Sequence, residues 1–183
     1  MGLQPSHSSL PTYDYHVIDL FSSDFGALVS WAHFFLHEIF DKINPEISRR
    51  LCIEVKKRIL RPYIEDGSFW WIGRKLPIQF LNNWNPYCNS NVLMCFLLIE
   101  NDLNQLCKGV KLTLDSINKY LNFIKYDGGC EEGSTYWDCA AGKLLDYLDI
   151  LSLATNHQIE IFHLPLIKHI GEFISRSYAG NFW

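Results

Sequence analysis

The segment Asp127-Gly-Gly-Cys-Glu-Glu-Gly-Ser-Thr-Tyr136-Trp137 crowds carboxylates, a thiol and a phenol around glycines. Acidic groups repel one another at short range, and glycine is the residue that lets a backbone turn where a side chain would obstruct it. The combination predicts a site. A second polar cluster, Asn82-Asn83-Trp84-Asn85, opens an apolar run about one helical hairpin earlier. If helical hairpins stack side by side, alternate helices are parallel, and Asn83 and Tyr136 come to the same end of two neighbouring inner helices. Free N–H groups and partial positive charge at two helix starts suit that rim to an anion, above all a carboxylate.

The elements that would position these groups read as helices in pairs. Phe25, Leu28, Val29, Ala32, Phe35, Leu36 and Ile39 recur at three and four, giving a first helix between Asp19 and Ile43. Asn44-Pro45-Glu46 caps a second, carried by Ile47, Leu51, Val55 and Ile59 toward Asp66-Gly67. Ser68 to Pro77, rich in aromatics with glycine and proline, is an irregular connection with room for a short strand. A third helix starts near Trp84 and runs through Val92–Ile99, apolar all round and therefore an inner helix. Its partner carries a stripe of Leu103, Leu106, Val110, Leu114, Ile117, Tyr120 and Leu121, ending before Asp127. Thr135 and Asp138 have the spacing of a capping box for a helix bearing Ala140, Ala141, Leu144, Leu145, Leu148 and Leu151. The last helix spans about Glu160 to Ser177. The expectation is an all-α protein of three stacked hairpins.

Composition narrows the function. The chain has 183 residues, 48% hydrophobic and 20% charged, enough for one well-buried core. Aromatics reach 15%, which suits a core or a surface that stacks on sugar-like ligands. A formal net charge of −4 provides no general attraction to phosphate backbones, so no nucleic-acid partner is expected; Lys56-Lys57-Arg58 with Arg61 reads as a solvated helix face. Cysteines at 52, 88, 95, 107, 130 and 139 show no CxxC pair and read chiefly as free, buried thiols, with a disulfide left open. His33 and His37, four apart, form too small a set for a metal site on their own. The apolar run Val92–Ile99 is far too short to span a bilayer, and the start of the chain has no secretory pattern. Gly2 and Ser6 match the loose myristoylation pattern, unsupported by a second membrane signal. No membrane partner is expected.

In order and spacing, Asn82-Asn83-Trp84-Asn85 followed by the Asp127–Trp137 motif resembles the heparinase II/III-like family of polysaccharide lyases, over roughly residues 20–183. There the motifs belong to the later part of an (α/α) toroid that precedes a β-sandwich domain. The resemblance implies that residues 19–183 form an incomplete toroid after an N-terminal extension, 1–18, with no β-sandwich in this chain. The implied activity is β-elimination on a uronic-acid glycan of heparin, heparan sulfate or alginate type. Asn83 would hydrogen-bond the uronate carboxylate, with Asn82 and Asn85 as fallbacks, and Tyr136 would exchange protons at C5 and O4. Trp84 would stack on a sugar, Glu132 would organise the loop and reach sugar hydroxyls, and Trp137 would line the substrate site. No cofactor or metal is implied. The partners are an anionic polysaccharide and the missing sandwich, which in the family supplies a catalytic histidine.

Two departures stand out. Glu131-Glu132 replaces the family's usual Asp-Glu, and Trp84 stands where some relatives carry histidine. His157, His163 and His169 lie far from the motif in sequence and read as packed or exposed. The family works outside the cytoplasm, yet no export signal is visible. The competing reading is a non-catalytic carbohydrate-binding or helical scaffold domain.

Overall fold

The structure, a computed structural model, describes residues 16–67, 69–74 and 81–180. The protein is all-α: α1 (Leu20–Ile43), α2 (Glu46–Val55), α3 (Arg61–Glu65), α4 (Trp84–Ile99), α5 (Leu103–Phe123), α6 (Lys143–Ala154) and α7 (Pro165–Arg176), with no sheet among the described residues. Contacts divide the chain into two compact units. One comprises Met1–Phe69 with Asn91–Thr113, the other Trp70–Ser90 with Leu114–Trp183. The N-terminal extension up to residue 15, with its Gly2 and Ser6, lies outside the described residues, as do Ser68 and Lys75–Pro77 of the connection. The described part of that connection holds a 3₁₀ turn, Trp70–Ile72, in place of a strand.

In the first unit α1 starts on a reciprocal cap: the Asp19 carboxylate accepts from Ser22 N–H at 2.7 Å, and Ser22 Oγ accepts from Asp19 N–H at 2.9 Å. The apolar period placed this helix correctly, but its buried residues are the small ones, Ser23, Gly26, Ala27 and Ser30. Small side chains let α1 approach closely. A Cβ on Gly26 would run into Ile59 Cδ1 and press on Cys95 Sγ. Burial pushes the Cys95 thiol up to about 12, so it packs as an inert hydrophobe. All six cysteines are free.

Asn44 Oδ1 accepts from Glu46 N–H at 2.9 Å and turns the chain into α2. The single second helix expected from sequence is interrupted: a π turn, Lys56–Leu60, joins α2 to α3. Pro62 accounts for it, because a proline has no N–H and its ring clashes with the carbonyl four residues back, so the ladder widens. The basic cluster lies here and is partly neutralised, with Lys56 Nζ 2.8 Å from Glu100 and Arg58 Nε 2.6 Å from Glu54.

In the second unit the start of α4 is buried although it is rich in asparagine. Asn85 Nδ2 donates to Trp71 O at 2.7 Å and to Ser116 Oγ at 3.0 Å, and Asn89 Nδ2 donates to Ser116 Oγ at 2.9 Å. Ser116 Oγ in turn donates to Ile72 O at 3.0 Å. One hydroxyl thus uses its donor and both lone pairs to tie α4, α5 and the 3₁₀ turn together. The Lys143 ammonium sits 4.9 Å from the centre of the Tyr87 ring. The last helix begins at Pro165, later than the period suggests, with the proline at its first helical position; before it, Asn156 and His157 take positive φ, and Ser152 Oγ and His157 Nδ1 are 2.9 Å apart in a turn after α6.

Ser116→Ala removes one hydrogen-bond partner from each of two buried amides, which keep Trp71 O and Asn85 O, and the hydroxyl donor to Ile72 O, so it is expected to lower unfolding free energy by roughly 2–3 kcal/mol. Asn122→Ala, on the exposed side of α5, should cost under about 0.5 kcal/mol. Urea denaturation of both variants checks this, and equal small losses would show that the buried network is dispensable.

Candidate functional site

All residues of the candidate site belong to the second unit. Asn82 Oδ1 accepts from Trp84 N–H at 3.0 Å, and Asn83 C=O accepts from Tyr87 N–H at 3.1 Å, so these two asparagines shape the start of α4. The glycine-spaced loop is held against α7. Gly128 has φ +74°, and a Cβ there would run into the backbone nitrogen of Ile170 and the carbonyl of His169. His169 Nδ1 lies 2.8 Å from Tyr126 O, which assigns the proton to Nδ1, and its ring meets Tyr126 edge-on at 4.9 Å. The Arg176 guanidinium donates to Asp127 O and to His169 O. Trp137 Nε1 donates to Ile170 O at 3.0 Å. Gly128 is therefore required by close backbone packing.

Docked in this way, Gly129, Cys130, Glu131 and Glu132 line one small cavity together with Asn82, Asn83, Tyr120 and Phe123. Its volume is about 20 Å³, room for one water-sized group and too small for a sugar ring. An open groove of about 370 Å³ shares Phe123, Ile124, Gly129, Cys130 and Glu131 with it and adds Lys125, Asp127 and Phe173. That volume accommodates a monosaccharide.

Asn83 is buried, and its Oδ1 has no hydrogen-bond partner. A half-turn of the amide would exchange oxygen for NH₂, so Asn83 can offer either an acceptor or a donor. Tyr120, read from sequence only as part of an apolar stripe, shares the small cavity. Its phenol is pushed well above the ordinary range, first by burial and then by the acidic neighbours Cys130, Glu131 and Glu132. It stays protonated and is a hydrogen-bond donor. The Cys130 thiol is likewise pushed up, chiefly by burial and further by Glu132 and Glu131, so it is no nucleophile at neutral pH.

Other expected site residues are placed differently. Tyr136 is 49% exposed and does not line the cavity that holds Asn83. Its helix does not begin with the Thr135/Asp138 capping box. Gly133 (φ +75°) leads into a 3₁₀ turn, Ser134–Tyr136, then a π turn, Asp138–Gly142, without a side-chain cap, and the Asp138 carboxylate accepts from its neighbour Cys139 N–H instead. A single straight helix start at Tyr136 is thus replaced by two non-α turns. Asn85 has no exposed surface and its amide nitrogen donates to Trp71 and Ser116, so burial removes it from reach of a ligand. Trp137 uses its indole N–H internally. Trp84 packs at 5.2 Å against Trp70, both partly exposed, and Glu132 is exposed at the cavity.

His33 and His37 lie 5.6 Å apart, and His33 Nε2 meets Cys52 Sγ at 3.4 Å. Among the described residues no group of three or more potential ligands could hold a metal ion, and no described helix is long and apolar enough to cross a membrane. The sequence reading takes His169 only as packed or exposed and does not single out Arg176. Their seven-residue spacing puts them two turns apart on one face of α7, but nothing local says which loop that face meets. Comparison with known families finds no family that matches the chain, and comparison with curated proteins finds no match.

Gly128→Ala should lower stability by at least about 2 kcal/mol, through positive φ and the backbone clash together. It should also speed amide hydrogen exchange across residues 126–133. Gly171→Ala, on the open side of α7, should be neutral or stabilising by up to about 1 kcal/mol. A harmless Gly128→Ala would show that the loop is not fastened to α7.

Proposed function

We propose that the protein is part of a polysaccharide lyase, binding a uronate-containing glycan at the loop and cleaving it by β-elimination with Tyr136. One observation supports this reading above the others. Asn82–Asn83 and Gly129–Glu132, remote in sequence, converge on one cavity beside a groove of monosaccharide size. Phe123 and Phe173 give that groove apolar faces for a sugar ring, Lys125 gives it a cation, and Asp127 and Glu131 give acceptors for hydroxyls. The two acids disfavour densely sulfated chains, which makes an alginate-type or hyaluronan-type glycan of lower charge density a better substrate than heparin.

In the reaction a base takes the C5 proton, the C–H electron pair forms the C4–C5 double bond, and the C4–O4 bond breaks as O4 is protonated. Asn83 donates from its amide to the uronate carboxylate, where negative charge grows as C5 loses its proton. Tyr136 supplies the proton-transferring phenol at the end of the same loop. Tyr136 does not line the cavity that holds Asn83, so turnover is slow. A second reading, glycan binding without turnover, is favoured by the position of Tyr136 outside the cavity that holds Asn83.

Incubation with alginate, hyaluronan or heparan sulfate should give a slow rise in the ultraviolet absorbance of the unsaturated uronate. Tyr136→Phe and Asn83→Ala should each lower kcat/KM by about 100-fold or more. Undiminished activity in Tyr136→Phe would remove Tyr136 from the site. A flat trace with saturable binding that Lys125→Ala weakens would establish the second reading in place of the first.

A further inference from the structure

Helix α1 has two opposite sides of different kinds, one of small residues and one of large apolar ones. One side, Ser23, Gly26, Ala27 and Ser30, is buried in its own unit. The opposite side carries Phe21, Phe25, Leu28, Leu36, Ile39 and Ile43, each between 39% and 72% exposed. At 100° per residue the two sets are centred about half a turn of azimuth apart, so the second stripe points directly away from the first. It extends about 33 Å along the helix. With the exposed Phe35 it offers on the order of 800 Å² of largely apolar surface, more than monomers usually leave open and close to one partner's share of a standard interface.

The stripe is also symmetric. Ala32 stands at its middle, with Leu28 and Leu36, Phe25 and Ile39, and Phe21 and Ile43 spaced equally to either side. An isologous contact needs this arrangement, because the same residues must serve both partners. The flanking charges agree. Asp24 and Lys42 are separated by five full turns, so they share one edge of the stripe at opposite ends. Two antiparallel copies related by a two-fold axis at Ala32 would place Asp24 of one chain beside Lys42 of the other, twice over.

We propose that α1 is a homodimer interface: a second copy of this chain packs antiparallel on the stripe, crossing at Ala32. Large residues meet large ones along the seam and set the register about Ala32, small Ala32 lets the helices close on the axis, and the Asp24–Lys42 pairs favour the antiparallel orientation. This surface belongs to the first unit and is independent of the glycan reading.

Sedimentation of the full chain from about 1 to about 100 µM, the range in which an interface of this size associates, should give a particle of twice the 21.3 kDa chain mass. Phe25→Glu with Ile39→Glu should make it monomeric while leaving the circular dichroism and melting transition in place, since the buried side of α1 is untouched. Asp24→Lys or Lys42→Asp alone should weaken the dimer about tenfold, and the two together should restore it. A monomer throughout that range would overturn the proposal and assign the stripe to another occupant. A dimer indifferent to Phe25→Glu/Ile39→Glu, or a combined charge reversal no better than either single one, would overturn it as well.

Discussion

The second unit depends on one buried hydroxyl. Ser116 Oγ accepts from Asn85 and Asn89 and donates to Ile72, so α4, α5 and the 3₁₀ turn share a single polar atom. In a low-dielectric interior such a group is costly unless every bond is made, and once they are made the alternatives are poor. This constraint explains why an inner helix can begin with asparagines. Asn85 and Asn89 are the polar fittings by which α4 is placed, and Asn82 and Asn83 inherit their positions from that placement.

A second fastening acts on the loop. Gly128 lets the loop backbone lie directly against the backbone of α7, and His169, Arg176 and Trp137 close hydrogen bonds around that contact. The consequence for chemistry is that residues 129–132 become a wall facing Asn82 and Asn83, with Tyr120 beneath. Burial and acidic neighbours keep Tyr120 and Cys130 protonated. Two non-α turns carry Tyr136 beyond that wall to an exposed position.

The first unit obeys a different rule. Its α1 is held by small residues on one side and carries its large ones on the other. Close helix approach is gained through Gly26 and Ala27, and the bulky aromatics that a single-sided reading of the period would bury remain on the surface. The same residues that identify the helix therefore also form an exposed apolar stripe.

The sequence by itself determined that the chain is helical, where most helices lie, and that the Asp127–Trp137 loop and the Asn82–Asn85 segment are unusual. These are properties of local spacing: a period of three to four, a glycine cluster, a proline near a helix start. Helix boundaries drifted where local rules competed, as with the π turn at Pro62 and the turn with positive φ at Asn156 and His157. Only the tertiary structure decided which side of α1 is buried, that Asn85 is spent inside, that Tyr120 joins Asn83, and that α7 holds the loop. Each of those outcomes depends on what a side chain meets across a long sequence separation. A periodic pattern records that a face is apolar, but which neighbour covers it, or whether any does, is settled by packing between segments that no local spacing encodes.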